Sequence, residues 1–172
     1  METEELQRKF LQFIHENKGI IHKICRLYGR TEEDRQDLFQ EITIQLWKAY
    51  PRFRQESKIS TWMYRVALNT AISDLRKQNR RINTIALEGS AHADLHDEAD
   101  HTAKENWALL HKAIESLTEV EKAMMMLYLE DKSYEEMEDI LGMTQINLRV
   151  KMSRIKEKLR KKVAVQPGTT IE

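Results

Sequence analysis

The chain contains one cysteine, two prolines and five glycines in 172 residues, and aromatic residues make up only 7% of it. A lone Cys25 excludes an internal disulfide and any cysteine-based zinc cage, which fits a reducing compartment. So few turn-formers exclude a many-stranded sandwich or barrel. Long apolar runs are missing too. The longest, from Ala123 to Leu129, has seven residues, whereas a membrane-spanning helix needs about 20. The chain opens on Met1-Glu2-Thr3-Glu4-Glu5, without the basic and apolar segments of a secretion signal, so a cytoplasmic protein is expected. An excess of either charge is also lacking. Twenty-eight Lys and Arg balance 28 Asp and Glu, which excludes a globally basic coat protein. With 41% hydrophobic residues the chain is too apolar to be disordered throughout. An all-α fold of one domain or two small ones is expected.

The neutrality conceals segregation, and local charge decides what a surface attracts. Glu88 to Glu105 carries six acids and one base, a balance of −5. Arg149 to Lys162 carries eight bases and one acid, +7, and Arg76 to Arg81 adds four bases with no acid. The acidic stretch has no sustained apolar stripe and includes Gly89-Ser90, so it reads as a flexible linker between two small helical domains. The alternative is a single bundle with one long surface loop, although structureless loops of this length are uncommon inside compact domains. Pro167-Gly168-Thr169-Thr170 ends the last helix in a tail.

In the first domain, Leu6, Phe10, Phe13 and Ile14 start a helix that continues through Ile20, Ile21, Ile24 and Tyr28 to a stop near Gly29. Thr31 with Asp34 resembles the start of a second helix, carrying Leu38, Ile42, Leu46 and Trp47 and ending near Pro51. Arg52 to Ile59 is a polar loop. Ser60 and Thr61 are candidate N-caps for a third helix running to about Gln78. Its apolar side holds Tyr64, Ala67, Leu68, Ala71, Ile72 and Leu75. The opposite side holds Trp62, Arg65, Val66, Asn69, Ser73, Arg76, Lys77 and Arg80. An aromatic, an amide and several cations on one stripe suit unpaired nucleic acid: the ring stacks on a base, the amide reads a base edge, and the cations hold phosphates. The plainer reading is a solvated face with Trp62 tucked onto a neighbouring helix.

In the second domain, Trp107, Leu110, Ile114 and Leu117 mark a further helix. Thr118 with Glu121 and Ser133 with Glu136 both fit the capping box. A short helix stops at Gly142, and Thr144 caps the next one, which is the helix-turn-helix pattern. Leu148, Met152, Ile155 and Leu159 face the core. Gln145, Asn147, Arg149, Lys151 and Arg154 remain outside, the inventory for a helix lying in a major groove. Ile146 and Val150 lie opposite the core stripe, where they meet either thymine methyl groups or a protein partner. The plainer alternative is a basic surface helix.

Other constellations are not chemical. His92, His96, His101 and His111 lack fixed geometry and a Cys partner, so no metal site is expected. No carboxylate pairs with a nucleophile or base, and there is no Gly-rich phosphate loop, so neither catalytic residues nor a cofactor are expected. Met124-Met125-Met126 reads as core filling.

The order of parts, Asp37-Leu38-Phe39-Gln40-Glu41, then Ser60-Thr61-Trp62-Met63-Tyr64-Arg65-Val66-Ala67-Leu68-Asn69, an acidic linker and a C-terminal helix-turn-helix, resembles the extracytoplasmic-function bacterial sigma factors. The likeness runs from about Glu4 to Lys162, and the Thr-Trp-x-Tyr-Arg-x-Ala-x-Asn run is its most specific piece. It implies a non-enzymatic factor with four parts: a polymerase-binding and minus-ten-melting domain over residues 1–81, an acidic linker over 82–105, a minus-thirty-five-reading domain over 106–165, and a tail over 166–172. By position, Asp37, Gln40, Glu41 and Gln45 fall in the polymerase-binding helix, with Trp47 assigned to the core. Arg54, Lys58, Trp62, Arg65, Asn69, Ser73, Arg76, Lys77 and Arg80 fall on the melted-strand surface. Gln145, Ile146, Asn147, Arg149, Val150, Lys151 and Arg154 fall on the minus-thirty-five surface. The implied partners are core RNA polymerase through the clamp helices and flap, promoter DNA both duplex and single-stranded, and an anti-sigma factor, often membrane-bound. The chain departs from the family in four places. Glu138 stands where a small residue is common, Thr118 replaces a frequent Pro, and Ile146 and Val150 replace small or polar residues. Two rivals of other classes are a stand-alone duplex-binding regulator and a helical protein-interaction adaptor.

Overall fold

The computed structural model describes residues 2–53, 57–85 and 112–164, and these are helices and short connections. The chain divides into two compact units, one ending at Ala93 and one beginning at Asp94. Arg54, the acidic stretch beyond residue 85, Trp107, Leu110, the histidines from His92 to His111 and the tail lie outside the described residues.

In the first unit α1 (Glu2–Tyr28), α2 (Glu32–Ala49) and α3 (Ile59–Ile85) pack against one another pairwise. Each contributes one apolar stripe to a shared core: Phe13, Ile21 and Ile24 from α1, Leu38, Ile42 and Leu46 from α2, and Met63, Ala67, Leu68 and Ala71 from α3. Cys25 is buried among them, 2% exposed, so it packs as a small apolar residue. Between α1 and α2 the chain reverses at Gly29. Its amide donates to the Cys25 carbonyl at 2.8 Å, and the Gly29 carbonyl accepts from Arg35 Nε at 3.3 Å. A Cβ there would lie 2.6 Å from Arg35 Cγ and 2.9 Å from the Cys25 oxygen, so only glycine permits the close approach. The expected cap is present: the Asp34 amide donates to Thr31 Oγ1 at 3.0 Å and the Thr31 amide to Asp34 Oδ2 at 2.9 Å. Helix α2 ends in a single 3-10 turn, Tyr50–Arg52, with Pro51 at its start.

Helix α3 differs from the sequence expectation at both ends. Its first backbone bond runs from the Trp62 amide to the Lys58 carbonyl at 3.1 Å, so Lys58 occupies the capping position and Ser60 and Thr61 lie within the first turn. Thr61 is 4% exposed, its side chain turned inward. At the other end the helix passes Gln78 and continues to Ile85, because no Gly or Pro intervenes to stop it.

In the second unit residues 112–115 form a helical turn, followed by α4 (Glu119–Leu129), α5 (Tyr134–Leu141) and α6 (Gln145–Ala164). Helix α6 packs on both α4 and α5 through Leu148, Met152 and Ile155, which meet Ala123, Met124, Leu127, Met137 and Ile140 in the core. Both capping boxes form: the Thr118 amide donates to Glu121 Oε2 at 2.8 Å, and the Ser133 amide to Glu136 Oε2 at 3.1 Å. Thr118 Oγ1 also accepts from the Glu121 amide at 3.3 Å, a bond that a proline at this position could not make. Glu138 is half-buried on α5 between the buried Met137 and Ile140, so a longer side chain is accommodated there.

Candidate functional site

Three surfaces gather the candidate residues. On α2, Leu38, Ile42 and Leu46 point inward and leave Asp37 and Gln40 exposed, with Glu41 and Gln45 half-buried beside them. Gln45 Nε2 donates to Glu41 Oε1 at 2.8 Å, which aligns these two polar groups along the helix. Ile44 lies on the same face and is 46% exposed. It falls out of phase with the core stripe, a signal present in the sequence but masked by its polar neighbours. Trp47 is half-buried rather than in the core, in an edge-to-face contact with Phe10 at 5.0 Å between ring centroids.

On α3, Arg65, Asn69, Ser73, Arg76, Lys77 and Arg80 are all exposed and share one face. Arg80 Nε donates back to the Arg76 carbonyl at 3.3 Å, which holds one cation close to the helix. Trp62 begins this stripe but is half-buried, with its ring 4.9 Å from Phe53 and 5.9 Å from Phe13. Tyr50 stacks on Phe13 at 5.5 Å and completes the cluster. The plainer reading of Trp62 therefore describes its position: it packs on neighbouring aromatics. It thereby packs on Phe53, the residue that follows the 3-10 turn, while Lys58 is exposed. Tyr50 escapes a reading of the sequence because its neighbours Phe10 and Phe13 come from a distant part of the chain, and Phe53 because its contact with Trp62 crosses from the end of one helix to the start of the next and leaves no periodic trace.

On α6 the turn before the helix sets its direction. Gly142 has a φ of 67°, the left-handed region that glycine enters without penalty, and its amide donates to the Glu138 carbonyl at 2.8 Å. Thr144 Oγ1 then accepts from the Asn147 amide at 3.4 Å. The helix presents Asn147, Arg149, Lys151 and Arg154 to solvent, with Gln145 half-buried. The Arg149 guanidinium carbon sits 4.4 Å from the centre of the Tyr134 ring, a cation–π contact that orients it. Ile146 is 75% exposed and Val150 46%, which places both on the open side, as the helical projection has them.

At the far end Lys158 Nζ bonds Glu121 Oε2 at 3.1 Å and fastens α6 to the N-terminus of α4. Burial alone would raise the Glu121 pKa, but the Thr118 amide and the Lys158 ammonium outweigh it and hold the carboxyl below its ordinary value. Burial pushes the Cys25 thiol up to about 11. Among the described residues, no group of three His, Cys, Asp or Glu could hold a metal, and no helix is long and apolar enough to cross a membrane.

The chain matches two known family regions. Residues 13–81 match the family described as Sigma-70 region 2, and residues 107–159 match Sigma-70, region 4. The chain is 30% identical to the ECF RNA polymerase sigma-E factor of Escherichia coli over 155 residues, covering 83% of this chain and 81% of that protein. It is 27% identical to the ECF RNA polymerase sigma factor SigM of Mycobacterium tuberculosis over 124 residues, 72% of this chain but 56% of that relative's length. Among solved structures, the fold resembles the sigma factor RpoE in complex with the anti-sigma factor NepR from Bartonella quintana, with a TM-score of 0.68. That likeness has 18% identity and covers 93% of this chain and 99% of that one. It also resembles CnrH in complex with the cytosolic domain of CnrY, with a TM-score of 0.66, 17% identity, and coverage of 94% and 91%. With both sigma regions matched in order, and a relative of this identity covered over most of its length, the chain belongs to the extracytoplasmic-function family of RNA polymerase sigma factors.

Proposed function

We propose that the protein joins core RNA polymerase in the cytoplasm and directs it to promoters, with no catalysis of its own. The α2 face with Asp37, Gln40, Glu41, Gln45 and the exposed Ile44 is the polymerase contact, an apolar centre within a polar rim. The α3 face, from Trp62 through Arg80, together with Lys58 and, by its place in the sequence, Arg54, holds the opened minus-ten strand. Asn69 reads a base there and Arg65, Arg76 and Lys77 hold phosphates. Flipping a base costs a few kcal/mol, offset by these contacts. Helix α6 reads the minus-thirty-five duplex. The observation that carries this reading is one cationic helix face in each sigma region, each on the side away from its own core. A stand-alone duplex regulator would leave the α3 face without a purpose.

The same exposed surfaces suit capture by an anti-sigma factor. Two structurally similar proteins, the RpoE and CnrH structures, are each held in a complex, one with an anti-sigma factor and one with the cytosolic domain of a partner. The deciding experiment is initiation on a fragmented genomic library, with purified protein, bacterial core polymerase and mapping of transcript starts. Defined starts that share two spaced elements are expected, with the Asn69→Ala and Arg149→Ala variants losing preference at the downstream and upstream element respectively. An absence of core-dependent starts from folded protein and active polymerase overturns the reading.

A further inference from the structure

Ile146 and Val150 form an apolar strip on the solvent side of α6, 75% and 46% exposed, in a helix whose other exposed residues are mainly charged or polar. At about 100° per residue the two lie together, directly opposite the buried Leu148, Met152 and Ile155. Cations border the strip on both sides: Arg149 leans over Tyr134 along one edge, while Lys151 and Arg154 line the other. The first turn of α6 holds no acid, and the helix's sole carboxylate, Glu157, is already paired with Lys161 at 2.8 Å.

This arrangement differs from an ordinary protein-docking stripe, because the apolar centre is narrow and its flanks carry one sign of charge. It matches the cross-section of a major groove about 12 Å wide, with base edges at the floor and a phosphate wall on each side. Four residues of helix separate the two side chains by about 6 Å, close to two base steps at about 3.4 Å each. The apolar feature on that floor is the C5-methyl group of thymine. We infer that Ile146 and Val150 are specificity residues that select thymine methyl groups, one to two base steps apart, in the upstream promoter element. The inference rests on the sigma reading above and adds which bases this chain prefers and by what chemistry.

The test uses the full chain bound to core polymerase and a duplex library randomised over the upstream element. Each thymine of the selected element is then replaced by deoxyuridine, which removes only the methyl group. Affinity is expected to fall about threefold to fivefold per contacted methyl, and the loss is expected to vanish in Ile146→Ser for one thymine and in Val150→Ser for the other. Both positions are exposed, so unchanged thermal unfolding is the check that the variants remain folded. A selected element without thymine, or uracil losses that are equal in wild type and variants, overturns the inference and leaves the sigma reading standing. Variants that lose core polymerase rather than DNA place the strip against protein and overturn it too. A library that yields no core-dependent element removes the sigma reading, and the inference falls with it.

Discussion

Asp131 closes α4 in a conformation that an L side chain rarely adopts, with a φ of 53°. The backbone makes both bonds of a Schellman end: the Lys132 amide donates to the Leu127 carbonyl at 3.1 Å and the Asp131 amide to that of Tyr128 at 3.2 Å. The position suits glycine, so Asp131→Gly is expected to leave the second unit equal in stability or up to about 1 kcal/mol more stable by urea unfolding, despite glycine's greater freedom in the unfolded chain. Gly142 is the converse. Nothing lies within 4 Å of where its Cβ would be, so Gly142→Ala meets no clash and costs only the strain of the left-handed backbone, about 1 kcal/mol. Cys25 supplies a third expectation. Buried and with its thiol raised to about 11, it stays protonated at neutral pH, so iodoacetamide should label it only as fast as the domain opens. Labelling of folded protein at the rate of a free thiol would refute that burial.

At the scale of helices, the junctions add local polar contacts to the packing of the core. Thr118→Ala removes the acceptor for the Glu121 amide and is expected to cost about 1 kcal/mol, read by chemical unfolding. The Lys158–Glu121 pair spans α6 and α4, but both side chains are partly exposed, at 39% and 25%, so its worth stays below about 1 kcal/mol. Its pH dependence has a definite sign. The folded carboxyl is held below its ordinary value of 4.5, so the stabilisation is complete above that pH and is lost as pH falls further. The gap in stability between wild type and Lys158→Met should therefore narrow as the pH is lowered below 4.5, and a gap that did not narrow in acid would refute the assignment.

These junctions were also the most legible parts of the sequence. The Thr118, Ser133 and Thr31 boxes use residues three apart, so nearby chemistry alone defines them. Ser60 and Thr61 misled because a hydroxyl suits a cap only where the backbone bonding begins, and here packing draws Thr61 into the core. For Trp62 the sequence offers both its face and a place against a neighbouring helix, but not the identity of its ring neighbours Phe13 and Phe53, which the tertiary fold supplies.

At the scale of the whole molecule, zero net charge coexists with a helix end that carries eight bases and one acid from Arg149 to Lys162. Affinity for duplex DNA should then track salt through that helix rather than through the protein's total charge. Replacing Arg149, Lys151 and Arg154 together by Gln is expected to flatten the slope of log affinity against log salt by about 0.9 for each phosphate that is no longer neutralised. A slope unchanged in a folded triple variant would show that α6 is not where the duplex is neutralised.

The mounting of α6 has one more consequence. The side chains that bury the helix, Leu148, Met152 and Ile155, and the Gly142 turn that precedes it lie off the face that carries Ile146 and Val150. Changes on that face leave the fold's own bonds untouched. During descent from a common ancestor, the preferred sequence could thus drift freely while the scaffold stayed under constraint. Sister proteins of one architecture can in this way come to address separate sets of genes within a single cell.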